Sequence, residues 1–188
     1  MNKLVVTTKR LMIRNLEPRD LHAFHLYRSN PDITKYQGFD VMDIQGCATF
    51  IEQQQHKTFG TPGEWVQYGI ENINNGELYG DCAIRIEHDQ PETAEIGITI
   101  SHIHHRNGFA KEALLGLITY LFDVKKMHRI VETVDAENTA SIGLLESAGF
   151  RKEGNFIENI FFKGKWSSEY QYAMLQREWK KLKKPMHE

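Results

Sequence analysis

The chain has 188 residues, 40% of them apolar and 26% charged, with a formal net charge of −2. That balance suits a globular domain with a sizeable core and excludes a global field drawing the chain onto nucleic acid or an anionic membrane. Two cysteines, Cys47 and Cys82, make no disulfide framework and fit a reducing compartment.

Leu4-Val5-Val6 is too short an apolar run for a signal peptide, and no stretch approaches the ~20 residues of a membrane span. The expectation is a single cytoplasmic domain over 1–188, ending in a basic, solvated tail at 180–188.

Leu11 to Asn15 reads as the first strand. Pro18-Arg19-Asp20 opens a helix with Leu21, Phe24 and Tyr27 on one face, and Asn30-Pro31-Asp32 breaks it. Over residues 30–64 the pattern is sparse. Asp43 caps a helix carrying Ile44, Cys47, Phe50 and Ile51, and Gly60-Thr61-Pro62-Gly63 is a loop. Val66, Tyr68 and Ile70 then alternate up to Asn74-Asn75-Gly76, a hairpin turn signal. Leu78 to Ile86 returns with Leu78, Cys82, Ile84 and Ile86 on one face, and Cys82 reads as a small buried hydrophobe. Thr93 to Ile100 places Ala94, Ile96, Ile98 and Ile100 on one face and Glu95, Gly97 and Thr99 on the other.

The period then becomes helical, through Ala110, Ala113, Leu114, Leu117, Ile118, Leu121 and Phe122, about four turns. Arg129 to Val134 is a short strand. Asn138 caps a helix with Ile142 and Leu145 inward, ending at Ala148-Gly149-Phe150. Strands at 154–162 and 167–175, joined across Lys163-Gly164-Lys165, close the chain. The predicted class is α/β (α+β): a single mixed, mostly antiparallel sheet of about seven strands flanked by helices.

The chemistry concentrates where the Glu95–Ile100 strand feeds Arg106-Asn107-Gly108-Phe109-Ala110-Lys111 and a strong helix begins. A helix start carries unpaired N–H groups and partial positive charge. Gly108 admits close approach of an anion, Ala110 keeps the entrance open, and Arg106 and Lys111 add full charge, which together suit a diphosphate. The segment is neither a P-loop nor a dinucleotide fingerprint, since G-x-x-x-x-G-K-[ST] and G-x-G-x-x-G are absent. His102, His104 and His105 make an incomplete metal set with no acid or Cys beside them, so no metal is expected.

Taken with Asn138 through Phe150, in the pattern N-x-x-[SA]-x-x-x-[LY]-E-x-x-G-F, this segment resembles the GNAT acetyltransferase superfamily. His105 stands where that family's [RQ]-x-x-G-x-[GA] motif has Gln or Arg, and Arg106 replaces a common glycine. Thr8 to Arg14 with Asp20 is similar to the family's opening. Gly164-Lys165-Trp166 and Met174 to Trp179 are similar to the ending of its ribosomal-protein N-terminal acetyltransferase branch.

The resemblance implies acetyl-coenzyme A as co-substrate, a primary amine as acceptor (a protein N-terminus or a small molecule), direct transfer, and a possible homodimer. It places the thioester and pantetheine against Ile98, Thr99, Ile100 and Asn138, and the phosphates against His105 to Lys111. Amine attack needs a proton acceptor, carbonyl-binding N–H groups and a donor near sulfur. Glu95 is the candidate acceptor, acting through water; the alternative is that it pairs with a cation. Ser141 is the candidate donor, because Leu145 occupies the place where the superfamily often has Tyr; the alternative is that it serves the helix's first turn. Tyr36, Phe39 and Trp65 either line an acceptor pocket or belong to the core. The rival readings are an acyl-coenzyme A sensor without turnover and a nucleotide-binding regulator.

Overall fold

The computed structural model describes residues 4–183. One sheet of eight strands organises them: β1 (Val5–Thr7), β2 (Leu11–Asn15), β3 (Val66–Asn72), β4 (Leu78–Ile86), β5 (Thr93–Ile100), β6 (Arg129–Asp135), β7 (Arg151–Phe162) and β8 (Lys165–Leu175). Their order is β1-β2-β3-β4-β5-β6-β8-β7. Every neighbouring pair is antiparallel except β5 and β6, which run parallel because a helix crosses between them.

The strand beyond the expected seven is β1. Only Val6 of its three residues turns inward, so it offers no period to read. The closing hairpin is longer than expected at both ends, and its turn is tight: Lys163 and Gly164 both take positive φ, 47° and 85°. That pair of angles matches the right-handed twist of the flanking strands.

Six helices cover the sheet: α1 (Leu21–Arg28), α2 (Pro31–Thr34), α3 (Ile44–Gln55), α4 (Phe109–Thr119), α5 (Thr139–Ser147) and α6 (Gln176–Leu182). The helix expected to open at Pro18 begins as a 3₁₀ turn over Pro18–Asp20, because the Asp20 carboxylate accepts from the Glu17 N–H at 2.8 Å and from Arg14 at 2.7 Å. Asn30 stops α1 and then caps α2 by accepting from the Asp32 N–H. The four-turn helix is α4 followed by a wider π turn over Tyr120–Val124. At the C-terminal end, α6 occupies part of what reads as a basic tail: Glu178 accepts from the Leu175 N–H at 2.8 Å, and Trp179 is buried. The rest of that tail, 184–188, lies outside the described residues.

The sheet has two unlike faces. On one, Ile13, Tyr68, Ile70, Cys82, Ile84, Ala94 and Ile96 pack against Leu114, Leu117, Ile118 and Phe122, with Val134 and Leu145 in the same core. Each Ile, Leu, Val or Phe among them contributes ~1.5–3 kcal/mol by leaving water. On the other, α1 and α3 pack Phe24, Tyr27, Cys47 and Ile51 over Leu16 and Leu78. Leu78 does not share the face of Cys82 and Ile84, as alternation would have it. Ile70 pairs with Gly80 and Glu71 with Leu78, so Tyr79 is an extra residue in the ladder and the phase flips there.

Candidate active site

The loop from Ser101 to Gly108 is braced by its own contacts. His105 Nε2 lies 2.8 Å from the Ile100 carbonyl, so this ring braces the end of β5. His104 stacks on Tyr79 at 3.6 Å, and burial holds its pKa below the usual value. Asn107 donates to the His105 carbonyl at 3.0 Å. Arg10 donates to Glu112 at 2.6 Å and to the Asn107 carbonyl at 3.2 Å, and lies over the Phe109 ring.

These contacts hold Arg106 and Gly108 at positive φ, 61° and 78°. Gly108 is the N-cap of α4, and no side chain caps that helix. The first main-chain bond back to the cap is Glu112 N–H to Gly108 C=O, so the N–H groups of Phe109, Ala110 and Lys111 point out of the helix start. A Cβ on Gly108 would meet only Arg10, at 3.6 Å. The cradle is open, and Arg106 and Lys111 stand exposed beside it. These residues fit the diphosphate of coenzyme A.

A wedge opens next to the cradle. The β5–β6 ladder holds only from Thr93↔Arg129 to Glu95↔Val131, although β5 runs on to Ile100 and β6 to Asp135. Past Glu95 the two strands part, leaving the peptide groups of Ile96 to Ile100 without a strand partner on that edge. Between them lies a cavity of about 350 Å³. Glu95, Ile98, Thr99, Asn138 and Ser141 all line it, as do Tyr36, Phe39 and Trp65. Gly97 also lines it, and a Cβ there would meet nothing within 4 Å. Ile100, buried in the core, and His105 to Lys111 do not line this cavity; the cradle follows the end of β5 in the chain.

Two carboxyls approach the apex of the wedge from opposite faces of the sheet. Glu95 shares a face with Gly97 and Thr99 and is ion-paired with Arg85, whose guanidinium lies 5.0 Å over Trp65. Burial raises the Glu95 pKa, and Arg85 opposes that rise. Glu132 sits one residue past the last ladder pair, on the α5 side between Ile130 and Val134. Burial first, and the charge of Glu95 second, push its pKa up to about 8.

Asn138 caps α5 by accepting from the Ser141 N–H, and its amide donates to Ser141 Oγ at 3.2 Å. Both cysteines lie away from the cavity, fully buried, with burial pushing their thiols up.

A buried ion pair stands behind the aromatic wall of the cavity. Arg28, 1% exposed, donates to Asp81 at 2.7 Å. Asp81 also accepts from Tyr27 OH and from the amide of Gln67, a cavity residue. Phe39 lies over the Arg28 guanidinium at 3.7 Å. Lys163, from the β7–β8 turn, donates to the Thr34 and Phe39 carbonyls and so ties the loop down from outside.

Sequence reasoning missed Glu132, Arg28 and Asp81. For Glu132 a signal was present: a charged residue at an inward position of a strand between two apolar ones is rare without a function. Arg28 and Asp81 meet across 53 residues and gave none.

Comparison with known proteins adds three findings. Residues 10–151 match the family described as acetyltransferase (GNAT) domain. The chain is 32% identical to an N-acetyltransferase, p20, of Bacillus licheniformis over 92% of this chain and 96% of that one. It is also 30% identical to the spermidine N(1)-acetyltransferase of Vibrio cholerae over 88% and 93%. Among solved structures, a GNAT-family acetyltransferase from Bacillus anthracis superimposes with a TM-score of 0.84 at 29% identity, covering 93% of this chain and 99% of that one. An open phosphate cradle leading into a parted strand pair thus stands in a chain that belongs to the GNAT acetyltransferase family, an N-acetyltransferase that takes its acetyl group from acetyl-coenzyme A.

Proposed function

We propose that the acceptor is a small cationic primary amine and that the acetyl group passes to it directly. One observation carries this reading: Glu95 and Asp135 converge with Trp65, Tyr36 and Phe39 on one cavity of about 350 Å³. Carboxyls and aromatic faces both favour a cation. The relationship to a spermidine acetyltransferase supports the same class. Direct transfer is supported by the placement of Cys47 and Cys82, whose thiols are buried away from the cleft.

In this reading the pantetheine arm lies along the free edge of Ile98 to Ile100, and main-chain N–H groups there polarise the thioester carbonyl. Asn138 orients the arm. His105, Arg106, Asn107, Gly108, Phe109, Ala110 and Lys111 hold the phosphates, with His105 and Phe109 acting by shaping the loop. Glu95 takes the ammonium proton through water, with Arg85 fixing the carboxylate. Ser141 hydrogen-bonds the departing sulfur.

A panel of amines with acetyl-coenzyme A, read by thiol release, tests the proposal. Turnover is expected with polyamines and other small primary amines. Turnover only with peptide N-termini would overturn the acceptor class. Tight acetyl-coenzyme A binding with no thiol release from any amine would overturn the transfer itself.

A further inference from the structure

We propose that Glu132 is a second catalytic carboxyl, the acid that delivers a proton to the sulfur of coenzyme A as the thioester breaks. The proposal rests on the acetyl-coenzyme A site described above and concerns a step for which that site otherwise offers no acid. Leu145 is fully buried in the core. Ser141 Oγ already accepts from Asn138, and a hydroxyl can solvate a thiolate but does not part with its proton near neutral pH.

Glu132 has the right placement. It lies where β6 first leaves β5, lines the cavity, and stands on the α5 side with Asn138 and Ser141, whereas Glu95 stands on the acceptor side with Trp65. Among the described residues its carboxyl has no hydrogen-bond or ion-pair partner, although the residue is only 8% exposed. A buried carboxyl with no partner is held neutral, and a neutral carboxyl can act as an acid. The titratable groups around it give no cation to pair with. Glu95 faces it from β5, with Arg85 behind and committed to Glu95. Asp135 follows on β6. Tyr172 is its cross-strand partner on β8 and donates to Glu146 of α5.

The step balances. The amine nitrogen bonds to the acetyl carbon as the carbon–sulfur bond breaks. The ammonium proton leaves by Glu95 and water, Glu132 hands its proton to the sulfur, and the Glu132 carboxylate regains one from solvent. The two carboxyls, one ion-paired with Arg85 and the other without a partner, thus divide base and acid work between them.

The test is calorimetric titration of coenzyme A and desulfo-coenzyme A into wild type and Glu132→Gln, at about pH 6.5 and about pH 9.5. At the higher pH the thiol, titrating near ~8.5, and Glu132 are both ionised and repel. Wild type should therefore prefer desulfo-coenzyme A about tenfold, a difference of one ~1.4 kcal/mol step. Neither preference nor substitution effect is expected at the lower pH. In Glu132→Gln the preference should shrink, and acetyl transfer to spermidine should fall ~100-fold, within the range of a lost general acid.

An equal preference in both proteins, or undiminished transfer in Glu132→Gln, would overturn the proposal. Failure of wild type to bind either ligand would strike the cofactor site itself and remove this role with it. Melting against pH guards the variant's fold. The folded carboxyl holds its proton to about 8 against an ordinary 4.5, so wild type loses stability as pH rises through that window. Glu132→Gln, lacking that loss, should melt above wild type at about pH 9.

Discussion

The two sides of β5 are built from different materials. Toward α4, the cradle is main chain: a glycine at positive φ, an uncapped helix start and an unpaired strand edge. Toward α1 and α3, the wall is side chain: Phe39, Trp65, Tyr36 and Gln67, held by the buried Arg28–Asp81 pair and the Lys163 tether. Main-chain donors depend on backbone shape, which suits a co-substrate that is the same in every turnover. Side chains can be exchanged without disturbing that shape, which suits the selection of an acceptor. Damage to one side should therefore leave the other side's ligand bound.

Gly108→Glu should break the cradle most severely. The substitution forces a side chain into left-handed backbone, at ~1–2 kcal/mol, and aims a carboxylate into a site built for phosphate. Coenzyme A affinity should fall by ~100-fold or more, counting ~1.4 kcal/mol per tenfold. That backbone cost should lower the melting temperature by several degrees, at ~2–4 °C per kcal/mol, without unfolding the chain. Undiminished affinity in calorimetry would mean that the phosphates bind elsewhere.

Arg28→Met makes the opposite damage. It leaves Asp81 buried and charged beneath the acceptor wall, a loss of ~3–5 kcal/mol. At ~2–4 °C per kcal/mol for a chain of this size, melting should drop by ~10 °C. The amine KM should rise while coenzyme A affinity stays. Adding Asp81→Asn should recover part of the melting temperature, because the orphaned charge is gone. An unchanged melting temperature in the single variant would show that the pair holds nothing.

Glu95→Gln lies between the two sides and should lower transfer ~10- to 100-fold, toward the lower end of general-base effects. The sign with pH is specific. Without a base, the variant relies on the neutral fraction of the amine, which grows tenfold per pH unit below the amine's pKa near ~10. Its deficit should be greatest at low pH and should narrow as pH rises, because the wild-type carboxylate can accept a proton well below the amine's pKa. A constant deficit across pH would assign Glu95 to the Arg85 ion pair alone.

The same asymmetry decided what could be read in advance. The cradle and α4 rest on local signals, a glycine, a helix start and a 3.6-residue period, and these place residues 105–111 and the helix after them. The hairpins were equally plain, except at Tyr79, where one extra residue turned Leu78 to the other face. The parting of β5 and β6 is a relation between strands some 35 positions apart in the chain, and no pattern within either strand carries it. Glu132 read as one residue of a short strand until the ladder placed it at the apex. In the acceptor wall the decisive contacts join Arg28 to Asp81 and Lys163 to Thr34, and no spacing within a single element encodes them. Tyr36, Phe39 and Trp65 were therefore undecided between pocket and core. The structure lines the cavity with all three while also seating Phe39 on Arg28 and Trp65 on Arg85.

That double duty gives the finest test of the comparison. Phe39→Leu keeps an apolar side chain at the wall but removes the ring from above Arg28. A desolvated cation–ring contact is worth up to ~2 kcal/mol and an exposed one ~0.5–1 kcal/mol. Phe39 is half-buried, so an intermediate loss and a melting decrease of a few degrees are expected. The amine KM should rise severalfold, since the same ring lines the proposed acceptor cavity, and coenzyme A affinity should be unmoved. If coenzyme A binding weakened as much as amine binding, the two sides of β5 would be one coupled unit, and the division between a main-chain cradle and a side-chain wall would fail.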